Sequence, residues 1–318
     1  MPRPFVLRPT SWVRARPALA ALVALVFAAV LLVGACGSAA GDASGRIVAV
    51  GAENEYANVI AQVGGRYVQA TAIMSNPNTD PHSFEASPKV AQTVGAARLV
   101  VQNGLGYDDF MTKIENASKT SGRRVISVQS LLGLSNRTPN PHLWYQPNTM
   151  PKVARAIGEA LATADPSHAS YFRANVATFD RSLEPWKQAV ANLRASFPGA
   201  PVAVTEPVAD YLVSAAGLTN RTPWALQADV MNGVDLSPQD VSAQQTLLRQ
   251  HQVRALLYNE QVTDSVTQAF LQVARESGVP VVAVYETMPT GYSYQSWMLA
   301  QTKALQQALA TGASTVRL

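Results

Sequence analysis

From residue 46 onward, short apolar runs alternate with stretches of helical spacing, and the alternation is played out twice. In the first round, residues 46–52 (RIVAVGA), 67–73, 99–102 (LVVQ) and 125–128 read as strands. Residues 54–63, 88–96, 107–117 and 149–163 read as helices. Ser87 is placed to cap the second of these, with Pro88 at its first helical position. The second round has strands over 201–205 (PVAVT), 253–258 (VRALLY) and 279–285 (VPVVAVY). Its helices fall over 208–216, 237–250, 264–276 and 293–310. Strands that alternate with helices predict parallel sheets covered on both faces. Between the rounds, residues 167–196 form a Gly-free stretch of helical spacing, about 45 Å long if fully helical. Pro185 should kink or split it. The expected architecture is α/β: two lobes of parallel sheet flanked by helices, joined by one long connecting helix, with a cleft between them. The boundaries read as an amino-terminal lobe over 46–165, a connecting helix over 166–198 and a carboxy-terminal lobe over 199–318.

The first 35 residues do not fit that alternation. Arg3, Arg8, Arg14 and Arg16 precede an uncharged apolar run over 18–33, too short for a comfortable membrane span. The run ends in small residues directly before Cys36, the only cysteine of the chain. This resembles a bacterial lipoprotein signal, cleaved before a cysteine that is then lipidated. An ordinary secretory signal and an amino-terminal anchor helix are the alternatives. Residues 36–45, small and flexible in composition, then serve as a tether. The formal net charge is +4, and residues 1–35 carry four Arg and no acid, so the remainder is close to neutral. The surplus therefore belongs to the export signal and is no evidence for nucleic acid. With no cysteine beyond Cys36, an internal disulfide and a thiolate metal site are both excluded.

Two loops concentrate candidate chemistry. Residues 76–88 (NPNTDPHSFEASP) hold His82 among Pro77, Pro81 and Pro88, which stiffen the backbone. Residues 140–147 (NPHLWYQP) repeat the recipe around His142. In open α/β sheets, functional groups gather beyond the carboxyl ends of strands. Glu206 and Glu286 follow apolar strands directly, and a buried carboxylate there needs a cation, a donor or water. Taken singly, each of the four has an ordinary structural reading: a hydrogen-bonded loop histidine, or a carboxylate capping the next helix. His168 and His251 read as surface or capping groups. Asp80 and Glu85 read as loop or helix-start hydrogen bonders, and Trp144 and Tyr145 as packing.

Together, DPHSFEASP, NGLGYDDFM, NPHLWYQP, TEPVADYL and YETMPTGYSYQSWM resemble the zinc/manganese solute-binding lipoproteins of bacterial ABC importers, over residues 46 to about 309. The order and spacing of the five blocks carry the resemblance. It implies two lobes bridged by a rigid helix, with a metal between them held by His82, His142, Glu206 and Glu286. At the fourth position that family usually has Asp, one methylene shorter than Glu286. The His-rich loop of many zinc members is absent, with no histidine between His82 and His142.

The implied ligand is one divalent ion, Zn2+ or Mn2+. Two imidazoles and two carboxylates suit tetrahedral Zn2+, whereas Mn2+ would take both carboxylates bidentate to reach six ligands. Four carboxylate oxygens and no His-rich loop lean toward manganese, while the general affinity order favours zinc. The resemblance further implies a membrane permease as partner, a lipid anchor at the outer face of the cytoplasmic membrane, a monomer, and no enzymatic activity. A metallohydrolase using the same site, a surface adhesin and a receptor for an organic metal chelate are the competing classes. The chain contains no H-E-x-x-H, G-x-S-x-G or P-loop motif.

Overall fold

A computed structural model describes Met1, residues 45–76, Asn78, His82 and residues 84–318. The expected signal peptide, the expected lipidation site Cys36, most of the tether, and Pro77, Asp80 and Pro81 lie outside the described residues.

Two four-stranded parallel sheets carry the fold. The first is built from β1 (Ile47–Glu53), β2 (Val68–Met74), β3 (Leu99–Gln102) and β4 (Arg124–Ser127), in the order β2-β1-β3-β4. The second is built from β5 (Pro201–Val204), β6 (Thr219–Asn220), β7 (Leu256–Asn259) and β8 (Val281–Val284), in the order β6-β5-β7-β8. Both orders reverse direction after the first strand of the set, and such a reversal opens a crevice beyond the strands' carboxyl ends. β3, β7 and β8 are buried along their whole length. This explains why the sequence shows apolar runs there instead of alternation.

Helices α1 (Asn54–Gly64), α2 (Pro88–Ala96), α3 (Asp109–Ala117), α4 (Val128–Leu131) and α5 (Thr149–Ala164) accompany the first sheet. Ser87 caps α2 as expected, accepting from the Val90 amide. The connector comprises a 3-10 turn at Pro166–His168, then α6 (Ala169–Ser182) and α7 (Glu184–Ser196). The break falls at Leu183, because Pro185 sits in the first turn of α7, where its missing amide hydrogen costs nothing. Phe172, Val176, Phe179, Leu183, Trp186, Val190 and Leu193 form one buried stripe that runs through the break. Their alternating spacing of four and three keeps one face inward. α5 packs along α6, and the last helix, α12 (Tyr294–Thr311), packs along α7.

The second sheet is flanked by α8 (Asp210–Ala215), α9 (Trp224–Met231), α10 (Pro238–Arg249), α11 (Ser265–Glu276) and α12. Three differences from the sequence reading have physical reasons. The strand expected over 253–258 is β7, Leu256–Asn259: Val253 and Ala255 are apolar because they are buried on the approach, and the chain bends at Arg254. The strand expected over 279–285 is shorter, Val281–Val284, since Pro280 has no amide hydrogen to give a ladder. β6 and α9 were not expected at all, and the apolar residues of α9 are spread around the helix instead of along one face.

The described residues from 45 onward form one compact unit. Its main apolar cluster includes Leu99 and Val101 of the first sheet, Val204, Leu257 and Val284 of the second, and Trp186 and Trp297 of the helices between. Hydrogen bonds cross the same boundary. The Asn54 side chain donates to the Met288 carbonyl (2.8 Å) and accepts from its amide (2.9 Å), and the Tyr294 hydroxyl donates to the Trp144 carbonyl (2.6 Å).

Candidate metal centre

All four predicted residues lie beyond the carboxyl ends of strands. His82 follows β2, His142 follows β4, Glu206 stands two residues past β5 and Glu286 two past β8. His142, Glu206 and Glu286 are buried, while the His82 side chain keeps 23% of its surface exposed.

One oxygen is the focus. Glu286 Oε2 stands 3.2 Å from His82 Nε2 and 3.1 Å from His142 Nε2, and it accepts a hydrogen bond from the Tyr107 hydroxyl at 3.0 Å. One ligand atom each from His82, His142 and Glu286 lies within 4.8 Å of the other two. Ligands ~2.1 Å from a tetrahedral ion stand ~3.4 Å apart, close to the two nitrogen–oxygen separations found here. The longer side chain of Glu286 thus reaches both imidazoles. Glu206 is outside that trio. Its Oε2 accepts from Asn259 Nδ2, and the same amide nitrogen donates to Glu286 Oε1 at 2.8 Å.

The hydrogen bonds around His142 fix its tautomer. Asn140 Nδ2 donates to the Pro207 carbonyl (2.7 Å), so Asn140 Oδ1 is the acceptor that faces His142 Nδ1 at 2.8 Å. The same oxygen accepts from the His142 amide at 2.9 Å. The Nδ1–H is thereby committed to Asn140, and the neutral ring turns the Nε2 lone pair to Glu286. A lone pair 3.1 Å from a carboxylate oxygen is repulsive unless a proton or a cation lies between them. Trp144 and Tyr107 close the ring edges, with centroids 5.4 and 5.8 Å from that of His142.

The electrostatics favour the ligating protonation states. Burial lowers the pKa of His142 and keeps it neutral, against the pull of Glu286. Burial alone would raise Glu286, but a proton shared with His142 and then with His82, in the place a cation would take, overcomes it and holds the carboxyl well below the usual carboxylate range. A neutral imidazole and an ionised carboxylate are what a metal requires. Next to the trio, at the end of β1 and the start of α1, Glu53 and Glu55 are buried. Burial pushes both carboxyls well up, with the charge of Asp108 adding to Glu53 and that of Glu286 to Glu55. Asp108 itself accepts from the amides of Asn103 (2.6 Å) and Gly104 (2.8 Å), and burial raises its carboxyl to about 6.

Tyr107, Asn140 and Asn259 were not singled out from the sequence, although Asn140 lies inside the NPHLWYQP motif and Asn259 ends a buried strand. The strand-end rule that found Glu206 and Glu286 applies equally to Asn259. Four of the residues set aside have the settings described for them, while Asp80 lies outside the described residues. His168 Nδ1 pairs with Asp165 (2.6 Å), His251 is exposed, and Trp144 and Tyr145 are buried.

Two parallel-sheet halves with imidazole and carboxylate donors meeting beyond their strand ends form a site fit to hold a small cation. Residues 50–308 match the family described as zinc-uptake complex component A, periplasmic, and the chain belongs to that family. Among curated relatives, the manganese-binding lipoprotein MntA of Bacillus subtilis is 25% identical over 270 residues, 81% of this chain and 85% of that protein. The metal ABC transporter substrate-binding lipoprotein SloC of Streptococcus mutans is 21% identical over 252 residues, 75% of this chain and 80% of that one. Among solved structures, the periplasmic zinc-binding protein TroA of Treponema pallidum superposes with a TM-score of 0.71 at 18% identity, covering 85% of this chain and all of the other. That likeness establishes the fold: two parallel sheets flanked by helices, with 31 residues of near-continuous helix between them.

Proposed function

We propose that this protein binds one divalent transition metal, Zn2+ or Mn2+, outside the cytoplasmic membrane and delivers it to the permease of an ABC importer. His82, His142 and Glu286 supply three ligands and Glu206 the fourth. The observation that carries the reading is the convergence of two imidazole nitrogens on Glu286 Oε2 at 3.1–3.2 Å, with the His142 tautomer fixed so that its lone pair faces that oxygen. The names of the relatives support the cargo class and the transporter partner, and the metals they print include manganese, zinc and iron. Lipidation at Cys36 anchors a monomer to the outer face of the membrane; among the described residues, no helix is long and apolar enough to cross one.

Binding without catalysis fits the donor set, since four protein ligands fill a tetrahedral site and leave no position for an activated water. An organic chelate would need room beside the ligands. A cavity of about 820 Å3 does exist, but it is lined by Ile47, Leu99 and Arg124, at the opposite ends of the strands. Because His82 is the one ligand left partly exposed, the metal enters and leaves past its imidazole.

The test is metal content. The purified protein is offered equimolar Zn2+ and Mn2+, and bound metal is counted by elemental analysis. About one ion per chain is expected, with binding lost in His82→Ala and in His142→Ala. Unchanged uptake in both variants would overturn the site.

A further inference from the structure

The two carboxylates of the second sheet are not independent. β7 lies between β5 and β8, with Leu257 opposite Val204 and Asn259 opposite Val284. That register sets Asn259 between the two strand ends that carry Glu206 and Glu286. Asn259 is 1% exposed. Its amide cannot be turned around, because Oδ1 accepts the Gln261 amide hydrogen at 3.1 Å, which leaves the NH2 group facing the acids. Gln261 also holds Glu286 from behind, its Oε1 accepting from the amides of Glu286 (2.6 Å) and Thr287 (2.8 Å). The two hydrogens of Asn259 Nδ2 go to Glu206 Oε2 and Glu286 Oε1.

We infer that Asn259 is a specificity-determining positioning residue: by tying one oxygen of each carboxylate to a single amide, it leaves Glu206 and Glu286 one oxygen apiece for a metal and sets the site for a four-coordinate ion. This rests on the metal-binding role proposed above. The sequence counts four carboxylate oxygens, enough for a six-coordinate ion with two imidazoles. With Asn259 in place, Oε1 of Glu286 points to the amide while Oε2 points to the histidines. Two nitrogens and two oxygens then remain, the donor count of a tetrahedral Zn2+ site and too few for Mn2+. The bond from Tyr107 to Glu286 Oε2 reinforces this orientation from the first sheet's side.

The experiment uses Asn259→Ala and Asn259→Ser in the full chain; Ser keeps a polar atom for the Gln261 amide but cannot span both acids. Dissociation constants for Zn2+ and Mn2+ are measured by chelator competition, and the visible d–d band is recorded after loading with Co2+. In the wild type the Co2+ band should have the high intensity of a four-coordinate ion. In both variants it should weaken toward that of higher coordination, and the preference for Zn2+ over Mn2+ should fall by about tenfold or more. Folding is checked by circular dichroism, and one folded variant suffices for the decision. A folded variant with unchanged band intensity and unchanged metal preference overturns the role of Asn259 and leaves the metal-binding reading standing. A wild type that takes up none of the three ions overturns both.

Discussion

Replacing Asn140 with Ala isolates the orientation of His142 from its identity. The substitution removes three hydrogen bonds: from His142 Nδ1 (2.8 Å), from the His142 amide (2.9 Å) and to the Pro207 carbonyl (2.7 Å). At a net ~0.5–1.5 kcal/mol for each, the metal-free protein loses roughly 1.5–4.5 kcal/mol of stability. The lower half of that range is expected, because the cavity left by the amide can admit water to the Pro207 carbonyl and the ring. The effect on the metal follows separately. Without an acceptor at Nδ1 the ring is free to take the other tautomer or to rotate, and losing the partner that orients a ligating histidine costs about 10–100-fold in affinity. Chelator competition with Zn2+ measures this, and urea unfolding of the metal-free protein measures the first loss. Asn140→Asp divides the two effects: it keeps the acceptor for both His142 hydrogens but cannot donate to Pro207. It is therefore expected to retain more affinity than Asn140→Ala. An Asn140→Ala protein that binds Zn2+ within about twofold of the wild type would refute the tautomer argument.

Other outcomes follow from parts of the fold away from the ligands. Burial, followed by the charges of Asp108 and Glu55, raises Glu53 in the folded state. The folded protein therefore holds a proton that the unfolded chain gives up near pH ~4.3, and stability present below that pH is lost as pH rises toward the folded value, at up to ~1.4 kcal/mol per pH unit. Glu53→Gln should thus gain on the wild type in urea unfolding between pH 5 and pH 8, and a gap that narrows with pH would contradict the buried-acid account. His142 acts in the opposite sense: burial lowers it, so the unfolded chain takes up its proton first and stability falls as pH drops below ~6.5. A Cβ on Gly158 would stand 2.6 Å from Val176 Cγ2, where α5 meets α6, so Gly158→Ala should cost ~1–3 kcal/mol by overpacking; a neutral result in thermal unfolding would show that this contact is loose. Asp264 accepts from the amides of Val266 and Thr267 (both 2.7 Å) in a capping box at the start of α11. Asp264→Ala should lose ~1 kcal/mol in the same measurement, and no change would mean that water replaces the cap.

What the sequence made legible is what is decided locally. Ser87 announces the start of α2 because a cap reaches only two or three residues along the chain, and the same short reach places Ser237, Asp264 and Ser293 at the starts of α10, α11 and α12. Pro185 announces the break in the connector for the same reason. Glu206 and Glu286 stood out because a charge directly after a buried strand is conspicuous. Asn140 and Asn259 did not, since a neutral amide carries no such signal and its partners are remote: Asn140 reaches Pro207, 67 residues on, and Asn259 reaches back 53 residues to Glu206. Nor could spacing show that Glu286 meets both histidines while Glu206 stands one amide further away; that depends on how the two sheets are docked. α9 stayed hidden because its apolar residues mark no single face.

The apolar cluster that runs from Leu99 through Trp186 and Trp297 to Val284 has a consequence for how occupancy is reported. Each sheet also keeps a smaller cluster of its own, around Val50 and Val100 in the first and around Leu256 and Phe270 in the second, but the larger cluster is common to both, so heating should give a single calorimetric transition. Whatever binds at the strand ends then adds its free energy to that one transition. At a free concentration of ~1,000 times the dissociation constant the gain is ~4.1 kcal/mol, felt by every residue from β1 to α12. The melting temperature of the whole chain thus becomes a gauge of a site built from a handful of side chains, and two metals can be ranked by heating alone.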